Sequence, residues 1–118
     1  MYHYVFVYGT LKRGFHNHNR FLQGMEPVAT GYIRGKLLQG GLPYLVEGDG
    51  QVHGEVYEIS SDLRNTLDAL EGHPKWYRRM PVDVTPDKGR TLKAEAYFYQ
   101  MPPHSTTYRH IEDGVYRG

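Results

Sequence analysis

The sequence predicts an α+β fold, in which several strands and one well-defined helix build a small sheet that curls towards a barrel. Three observations lead to this prediction. Short β-branched and aromatic segments recur along the chain, the segment 60–70 changes to helical spacing, and glycines interrupt the strands where a small sheet has to bend. The chain has 118 residues, a length that fits one domain over residues 1–118.

The strand predictions follow the β-branched and aromatic segments and the turn residues between them. We expect strands at residues 4–8, 31–38, 44–46, 52–59, 77–84 and 92–99. Turns are predicted at 40–43, 48–50 and 86–89, and a short helix at 18–24. After Pro102 and Pro103 the tail is polar and weakly patterned, and its role is left open.

The one strong helix prediction starts at the Ser-Ser-Asp segment 60–62, whose side chains are good N-caps. Leucines at 63, 67 and 70 follow at helical spacing. Gly72 and Pro74 end the helix, since glycine favours the left-handed C-cap conformation and proline cannot continue the hydrogen-bond pattern.

Composition excludes several classes of protein. The chain has no cysteine, which removes thiolate nucleophiles, zinc–thiolate sites, iron–sulfur clusters and disulfide frameworks. Its net charge is +1, with basic and acidic residues interspersed, so we expect no nucleic-acid partner. No apolar segment approaches the roughly 20 residues of a membrane helix, and the N-terminus lacks a signal-peptide pattern. We expect no membrane partner and a cytoplasmic location. Oligomeric state is left open.

The first candidate functional segment is the strand exit at Tyr8, Gly9, Thr10 and Leu11. Glycine has no Cβ, so another group can approach the backbone closely there. Amide N–H groups released from the ladder can point at a carboxylate or a developing oxyanion. An ordinary exit from strand to loop explains the same residues. A phosphate-binding loop does not, because Phe15 stands where that loop requires lysine.

The second candidate is Glu71. Leu63, Leu67 and Glu71 are successive i+4 positions, so they lie on one face of the predicted helix. That face is otherwise apolar, and the carboxylate also sits in the last helical turn, at the negative end of the helix dipole. Glu71 is therefore either a buried carboxyl with a raised pKa or the frayed end of a helix that points to solvent.

The sizes of the two effects show how much burial would have to raise the pKa of Glu71. The dipole contributes about 0.3–1 kcal/mol, which is less than one pKa unit. Full burial contributes roughly 3–5 units. A general base near neutral pH needs a shift of roughly two units from the ordinary glutamate value of about 4.3. If Glu71 is such a base, burial must supply most of the shift. Asp68, one position off the apolar face, is expected to be solvated.

Other side chains give weaker signals. His16 and His18 could face one metal ion, but no third and fourth ligand stands at a characteristic spacing, so we expect exposed loop histidines and no metal site. His53 and His73 lie near the candidate residues in sequence without a defined role. No Gly-x-Ser-x-Gly nucleophile motif occurs.

Four segments, taken in order and spacing, resemble the γ-glutamylcyclotransferase-like family, and in particular its short branch, which includes γ-glutamylamine cyclotransferase. These are residues 5–14, 54–57 and 67–71, followed by Tyr77 and Arg79. The resemblance covers about residues 4–100. It implies a small β-barrel with flanking helices. It also implies that Tyr8, Gly9, Thr10 and Leu11 bind the γ-glutamyl part of a substrate.

The same resemblance implies that Glu71 is the general acid/base and that Tyr77 either lines the cavity or packs in the core. The implied reaction needs no cofactor. The α-amine of a small γ-glutamyl compound attacks its own γ-carbonyl, which gives 5-oxoproline and releases an amine or amino acid. The alternative is a non-catalytic member that binds a metabolite or a protein partner, because fold alone does not decide function. The presence of a glutamate at 71 favours the enzyme.

Overall fold

A computed structural model describes residues 1–100 and 108–118 of the chain. In order, the elements are β1 Tyr2–Val7, α1 His16–Phe21, β2 Ala29–Gln39, β3 Pro43–Ser60, α2 Ser61–Glu71, β4 Tyr77–Pro86, β5 Leu92–Tyr99 and β6 Arg109–His110. Strands dominate and two helices accompany them in the described ranges, so the predicted α+β class is confirmed.

The strands form one mixed sheet in the order β3-β1-β5-β4-β2-β6, and β2 also pairs with β3. Five strands therefore form a closed circuit of pairings. Two of its junctions are short, because β1 meets β5 in parallel only at Val5 and Glu95, and β2 meets β4 at Gly31 and Tyr32. The predicted barrel corresponds loosely to this circuit.

One long strand replaces the two strands predicted at 44–46 and 52–59. β3 runs through both segments and pairs with β2 in an antiparallel hairpin. The register changes within this ladder, because Gly35 pairs with Gly50 whereas the next residue, Lys36, pairs with Val46. The predicted turn at 48–50 is therefore part of a bulge that bends β3, and it does not reverse the chain.

The ends of α2 agree with the sequence prediction. Ser60 is the N-cap, and its hydroxyl oxygen accepts a hydrogen bond of 3.1 Å from the Leu63 amide. Gly72 closes the helix in the left-handed conformation, at φ 66°, and its amide donates to the Ala69 carbonyl. Both caps satisfy backbone groups that a helix end leaves unpaired. Glu71 is thereby fixed as the last residue of the helix.

The second half of β1, residues 5–7, is buried on both faces, which explains its continuous apolar sequence. Phe6 belongs to one core cluster with residues of β2, β3, β4 and β5. Val5 and Val7 face the other cluster, where Leu67 of α2 is fully buried. The strand that leads to the 8–11 segment and the helix that ends at Glu71 therefore pack in the same core.

The tail is more ordered than its composition indicated. Residues 109–110 pair with residues 38–39 as β6, and Tyr116 is buried. The Tyr116 carbonyl accepts a 2.9 Å hydrogen bond from Lys12 Nζ, and its ring lies 5.2 Å from that of Phe15. The weak sequence pattern of residues 108–118 does not indicate these contacts, because the partners of this segment are far away in sequence. Residues 101–107 lie outside the described ranges.

Removing the N-cap of α2 tests this account of how the helix is positioned. We expect Ser60→Ala to lower the free energy of unfolding by about 1 kcal/mol, because the Leu63 amide loses its acceptor. Ser60→Gly should cost only a few tenths of a kcal/mol, since glycine leaves that amide open to water. Urea denaturation of the three proteins measures the order, and equal stability of the alanine and serine proteins would contradict the cap.

Candidate active site

A cavity of about 220 Å³ opens where β1 ends and meets the C-terminal end of α2. The 8–11 segment forms one part of its wall and Glu71 another. The complete lining consists of Phe6, Val7, Tyr8, Gly9, Thr10, Leu11, Asn17, Leu42, Pro43, Leu70, Glu71, Tyr77 and Tyr97. The structure thus brings together the two groups of residues that the sequence singled out separately.

Glu71 lies at the cavity wall and not in bulk solvent. Leu67, one turn earlier on the same helix face, is fully buried in the core, so the helix presents Glu71 towards the protein. Burial raises the pKa of Glu71 from 4.5 to about 7, because a low-dielectric surrounding disfavours the charged carboxylate. Of the two alternatives for this residue, the structure agrees with the buried carboxyl, and burial is the cause of the shift.

The 8–11 segment is held by bonds to its carbonyl groups. The Gly9 carbonyl accepts from the Lys12 amide at 2.9 Å, and the Thr10 carbonyl accepts from the His18 amide at 3.1 Å. Asn17 adds a 2.8 Å hydrogen bond from its side-chain amide to the Thr10 hydroxyl. Within the part of the chain that the structure describes, the amides of residues 9–11 donate to no protein acceptor. These N–H groups are therefore available to a ligand.

Gly9 is required for steric reasons. A Cβ built at this position would lie 2.6 Å from Cγ of Pro43, which also lines the cavity. This distance is far below van der Waals contact, so any larger residue would push the segment or the proline out of place. The predicted close approach to the backbone at Gly9 is confirmed, and here the approaching group is a protein side chain.

Three tyrosines in the cavity wall direct their hydroxyl groups into the protein. The Tyr8 hydroxyl donates to the Tyr97 carbonyl at 2.7 Å, and the Tyr77 hydroxyl donates to the Pro43 carbonyl at 2.9 Å. The Tyr97 hydroxyl donates to Oδ1 of Asp68 at 2.6 Å. Each phenolic proton is already engaged, and the cavity-lining position of Tyr77 agrees with the resemblance.

These tyrosines also remain neutral over the physiological range. Burial, followed by the nearby Glu71 carboxylate, raises the pKa of both Tyr8 and Tyr77 well above the ordinary value. Burial, followed by the hydrogen bond to the Asp68 carboxylate, raises the pKa of Tyr97. Glu71 is the acidic side chain of the cavity lining that titrates near neutral pH, since the others are phenols held protonated.

Asp68 is not solvated, and this prediction is wrong. Its side chain is only 20% exposed, and it accepts hydrogen bonds from the Arg79 guanidinium and the Tyr97 hydroxyl. Burial opposes ionisation of this group, but the bonds from Arg79 and Tyr97 hold the pKa of Asp68 below its usual value. The sequence places Asp68 correctly beside the apolar face of the helix. Its two partners, Arg79 and Tyr97, belong to strands later in the chain, so the helix sequence alone does not reveal them.

A network of charged groups continues from Asp68 under the helix. Arg79 donates from Nε to Glu95 at 3.2 Å, and Glu95 also accepts from Arg64 of α2 at 3.0 Å. The Arg79 amide donates to Nδ1 of His73 at 2.9 Å. Partly buried pairs of this kind fix the orientation of the groups that they join. β4 and β5 thereby hold α2 at Arg64 and Asp68, and hold the segment after the helix at His73.

The histidine prediction is half right. His16 is solvent-accessible, whereas His18 is buried, lies 3.1 Å from the Leu11 carbonyl through Nδ1 and packs against the Tyr57 ring. His18 thus supports the 8–11 segment from behind. Over residues 1–100 and 108–118, no group of three or more His, Asp or Glu side chains comes together in a way that could hold a metal ion.

Seven residues of the lining are not among the candidates predicted from the sequence, and three of them, Asn17, Pro43 and Tyr97, make hydrogen bonds within the site. From the sequence, Pro43 is predicted in a turn and Tyr97 in a strand, and Asn17 has no predicted role. No local signal distinguishes them, because Pro43 and Tyr97 meet partners 34 and 29 residues away in sequence, and Asn17 bonds to Thr10 only once the loop between them has folded. Alternation along β5 could at most have shown that Tyr97 shares a face with Tyr99.

The sequence of this chain matches a known protein family. A family model described as gamma-glutamyl cyclotransferase, AIG2-like, matches residues 5–118. The chain belongs to this family. It is an enzyme of the gamma-glutamylcyclotransferase class, and the recognition made from the sequence motifs is confirmed.

Named relatives support the assignment to the gamma-glutamylcyclotransferases. A Methanocaldococcus jannaschii protein provisionally named gamma-glutamylcyclotransferase is 40% identical over 100 residues, which cover 81% of this chain and 83% of the relative. The human gamma-glutamylaminecyclotransferase is 35% identical over 103 residues, which cover 77% of this chain and 67% of the human protein.

Two solved structures share the fold of this chain. An uncharacterised Pyrococcus horikoshii protein superposes with a TM-score of 0.75 and 28% identity, and the match covers 96% of this chain and 88% of that protein. A mouse AIG2-like protein superposes with a TM-score of 0.73 and 26% identity, covering 87% and 80% respectively. In the described ranges, no helix of this family member has the length and apolar character needed to span a membrane.

The raised pKa of Glu71 predicts how stability depends on pH. The folded protein binds this proton more tightly than the unfolded chain does, so stability falls as pH rises from 4.5 to about 7 and is constant above that. The shift corresponds to roughly 3 kcal/mol, at about 1.36 kcal/mol per pKa unit. We expect Glu71→Gln to be more stable than wild type by up to this amount at pH 8.

Chemical denaturation of both proteins between pH 4.5 and pH 8.5 measures this difference. It should be near zero at pH 4.5 and grow with pH. The matched control is Glu58→Gln, since Glu58 is an exposed glutamate of β3. A difference at position 71 that does not change with pH would show that this carboxyl is not buried.

Proposed function

We propose that this enzyme cyclises a γ-glutamyl amine or γ-glutamyl amino acid to 5-oxoproline, with Glu71 as general acid/base. One observation carries the proposal. A carboxyl with a pKa near 7 and a segment with available amide N–H groups, residues 9–11, line the same small cavity. A group that titrates near the working pH can both accept and return a proton.

The reaction requires two proton movements and one exchange of bonds. The Glu71 carboxylate removes a proton from the substrate's α-ammonium group, since only the free amine is nucleophilic. The amine nitrogen then attacks the γ-carbonyl carbon, and a five-membered ring closes. The carbon–nitrogen bond to the leaving group breaks as Glu71 returns the proton to that nitrogen. Ring closure also leaves an extra proton on the ring nitrogen. That proton passes to the released amine, which leaves as an ammonium ion.

The 8–11 segment supports this chemistry from the other wall. Amide N–H groups at residues 9–11 would hold the α-carboxylate of the substrate or the oxyanion that develops on its γ-carbonyl oxygen. Asn17 and His18 fix the segment from behind through Thr10 and Leu11. A fixed donor array of this kind stabilises charge without having to reorganise during the reaction.

The size of the cavity favours the cyclising conformation of the substrate. A volume of about 220 Å³ is below the roughly 300–1,000 Å³ of pockets that hold drug-sized ligands. A compact conformation of the γ-glutamyl part, with its amine near its own carbonyl, would fit a cavity of this size. Because the attack is intramolecular, this positioning supplies much of the acceleration.

Product analysis tests the proposal. The enzyme is incubated with γ-glutamyl amines, γ-glutamyl amino acids and glutathione, and 5-oxoproline is measured by mass spectrometry. We expect product from at least one substrate class, and a loss of about 10²–10⁴-fold in rate for Glu71→Gln, the effect of removing a general acid/base. Glu58→Gln is the matched control and should retain full activity.

Two results would contradict the proposal. Wild-type protein that yields no 5-oxoproline from any of these compounds, while binding them, would support the non-catalytic alternative. A Glu71→Gln protein that is as active as wild type would move the proton transfer to another group. Denaturation curves recorded for the same samples ensure that a loss of activity is not a loss of folded protein.

The pH dependence of kcat/KM tests the role of the carboxylate. Since Glu71 must be ionised to accept a proton, kcat/KM should fall about tenfold per pH unit below an apparent pKa of about 7. The pKa of Asp68 lies below its usual range, so that carboxylate stays ionised over this interval. An acid limb near pH 4 would exclude the buried carboxyl as the base.

A further inference from the structure

A second depression adjoins the cavity, and Glu71 borders both. We call it the outer groove; its volume is about 450 Å³. Its lining is apolar and aromatic apart from Glu71, and consists of Leu42, Tyr44, Ala69, Leu70, Glu71, Gly72, Trp76, Tyr77 and Tyr99. Four of these residues, at positions 42, 70, 71 and 77, also line the inner cavity. The two spaces therefore meet along the side of Glu71.

The outer groove carries an unusual amount of exposed apolar surface. Leu42 is 54% exposed, Trp76 49% and Leu70 39%. Isolated exposed apolar side chains are common on proteins, but a group of them around one depression marks a surface that is covered by a ligand or partner. Here the group surrounds the residue that the proposed chemistry needs.

Aromatic side chains shape the groove. The rings of Tyr44 and Tyr99 lie 4.3 Å apart, those of Tyr77 and Tyr99 lie 5.3 Å apart, and the Tyr44 and Tyr77 rings are nearly parallel. Trp76 packs over the helix cap, where a Cβ on Gly72 would lie 2.7 Å from its ring. Such an arrangement offers flat faces and edges to a planar apolar group.

We propose that the outer groove binds the leaving part of the substrate, and that the preferred substrates are γ-glutamyl amides of amines with an apolar, aromatic substituent. This inference rests on the proposed function. The inner cavity is small, so the substituent on the amide nitrogen must leave it. The shared border at Glu71 is where the breaking bond has to lie, and the outer groove begins there.

Charge favours a neutral substituent over an amino acid. Glu71 is the charged side chain in the groove lining and would repel the carboxylate of a leaving amino acid. Lys75 would attract such a carboxylate, since its Nζ lies 5.7 Å from the centroid of the Trp76 ring beside the groove. A pair of substrates that differ only in this carboxylate shows whether repulsion by Glu71 outweighs attraction by Lys75.

Kinetics with matched leaving groups test the inference. We expect kcat/KM for γ-glutamyl phenethylamide to exceed that for γ-glutamyl methylamide by about tenfold or more, the range expected from filling a hydrophobic subsite. γ-Glutamylphenylalanine has the same ring and adds a carboxylate on the carbon next to the amide nitrogen, and it should be turned over less well than the phenethylamide. Trp76→Ala should reduce the ratio of phenethylamide to methylamide, and Trp76→Phe should restore part of it.

Val28→Ala is the matched control, because Val28 is also 49% exposed and lies ahead of β2, outside the groove lining. It should leave the ratio unchanged. Equal kcat/KM for the two amides would overturn the inference, and so would a preference for the amino acid. In both cases, turnover of the methylamide leaves the proposed cyclisation intact. Absence of turnover with every amide would instead remove the proposed function.

Trp76 allows a binding test that does not depend on turnover, because it is the single tryptophan of the chain. With Glu71→Gln, the phenethylamide should change the Trp76 emission saturably, whereas 5-oxoproline, which fits the inner cavity alone, should change it little. Calorimetry confirms that each ligand binds. A phenethylamide that binds without altering the emission would overturn the inference. Emission that depends on protein concentration and not on ligand would show that a second copy covers the groove.

Discussion

The packing of Leu67 between α2 and β1 is the contact on which the site depends. Leu67 is fully buried beside Val5 and Val7, and Glu71 follows one turn later on the same face. Burying a leucine side chain contributes about 1.5–3 kcal/mol, which is similar to the roughly 3 kcal/mol needed to ionise Glu71 in place. The leucine therefore offsets the cost of directing a carboxyl towards the protein interior.

The two carboxyl groups at the end of α2 show how one helix supplies opposite environments. Asp68 meets a guanidinium and a hydroxyl, and these bonds keep it ionised. Glu71 meets leucine, proline and tyrosine side chains, which favour its protonated form. A pair of groups whose pKa values are pushed apart is a recurrent arrangement where one residue must transfer protons and the other must hold structure.

Local signals made much of the fold predictable, and distant partners account for the errors. The caps of α2 and the strand 92–99 depend on neighbouring residues, and both predictions are confirmed. Asp68 was misjudged because its partners, Arg79 and Tyr97, lie 11 and 29 residues away. Tyr116 and the bulge in β3 likewise depend on pairings that no short segment reveals. The site was predictable as two segments, while the side chains that connect them were not.

The shared border at Glu71 couples recognition to chemistry. Water that reaches this carboxyl stabilises its charged form, so an apolar substituent lying in the outer groove would remove water and raise the pKa of Glu71 further. In the complex, the carboxyl would then return its proton to the leaving nitrogen less readily but take it from the ammonium more strongly once ionised. The two effects oppose each other, and a pKa near 7 in the free enzyme leaves room for both steps. The surroundings of a single side chain therefore link the choice of leaving group to the rate of its release.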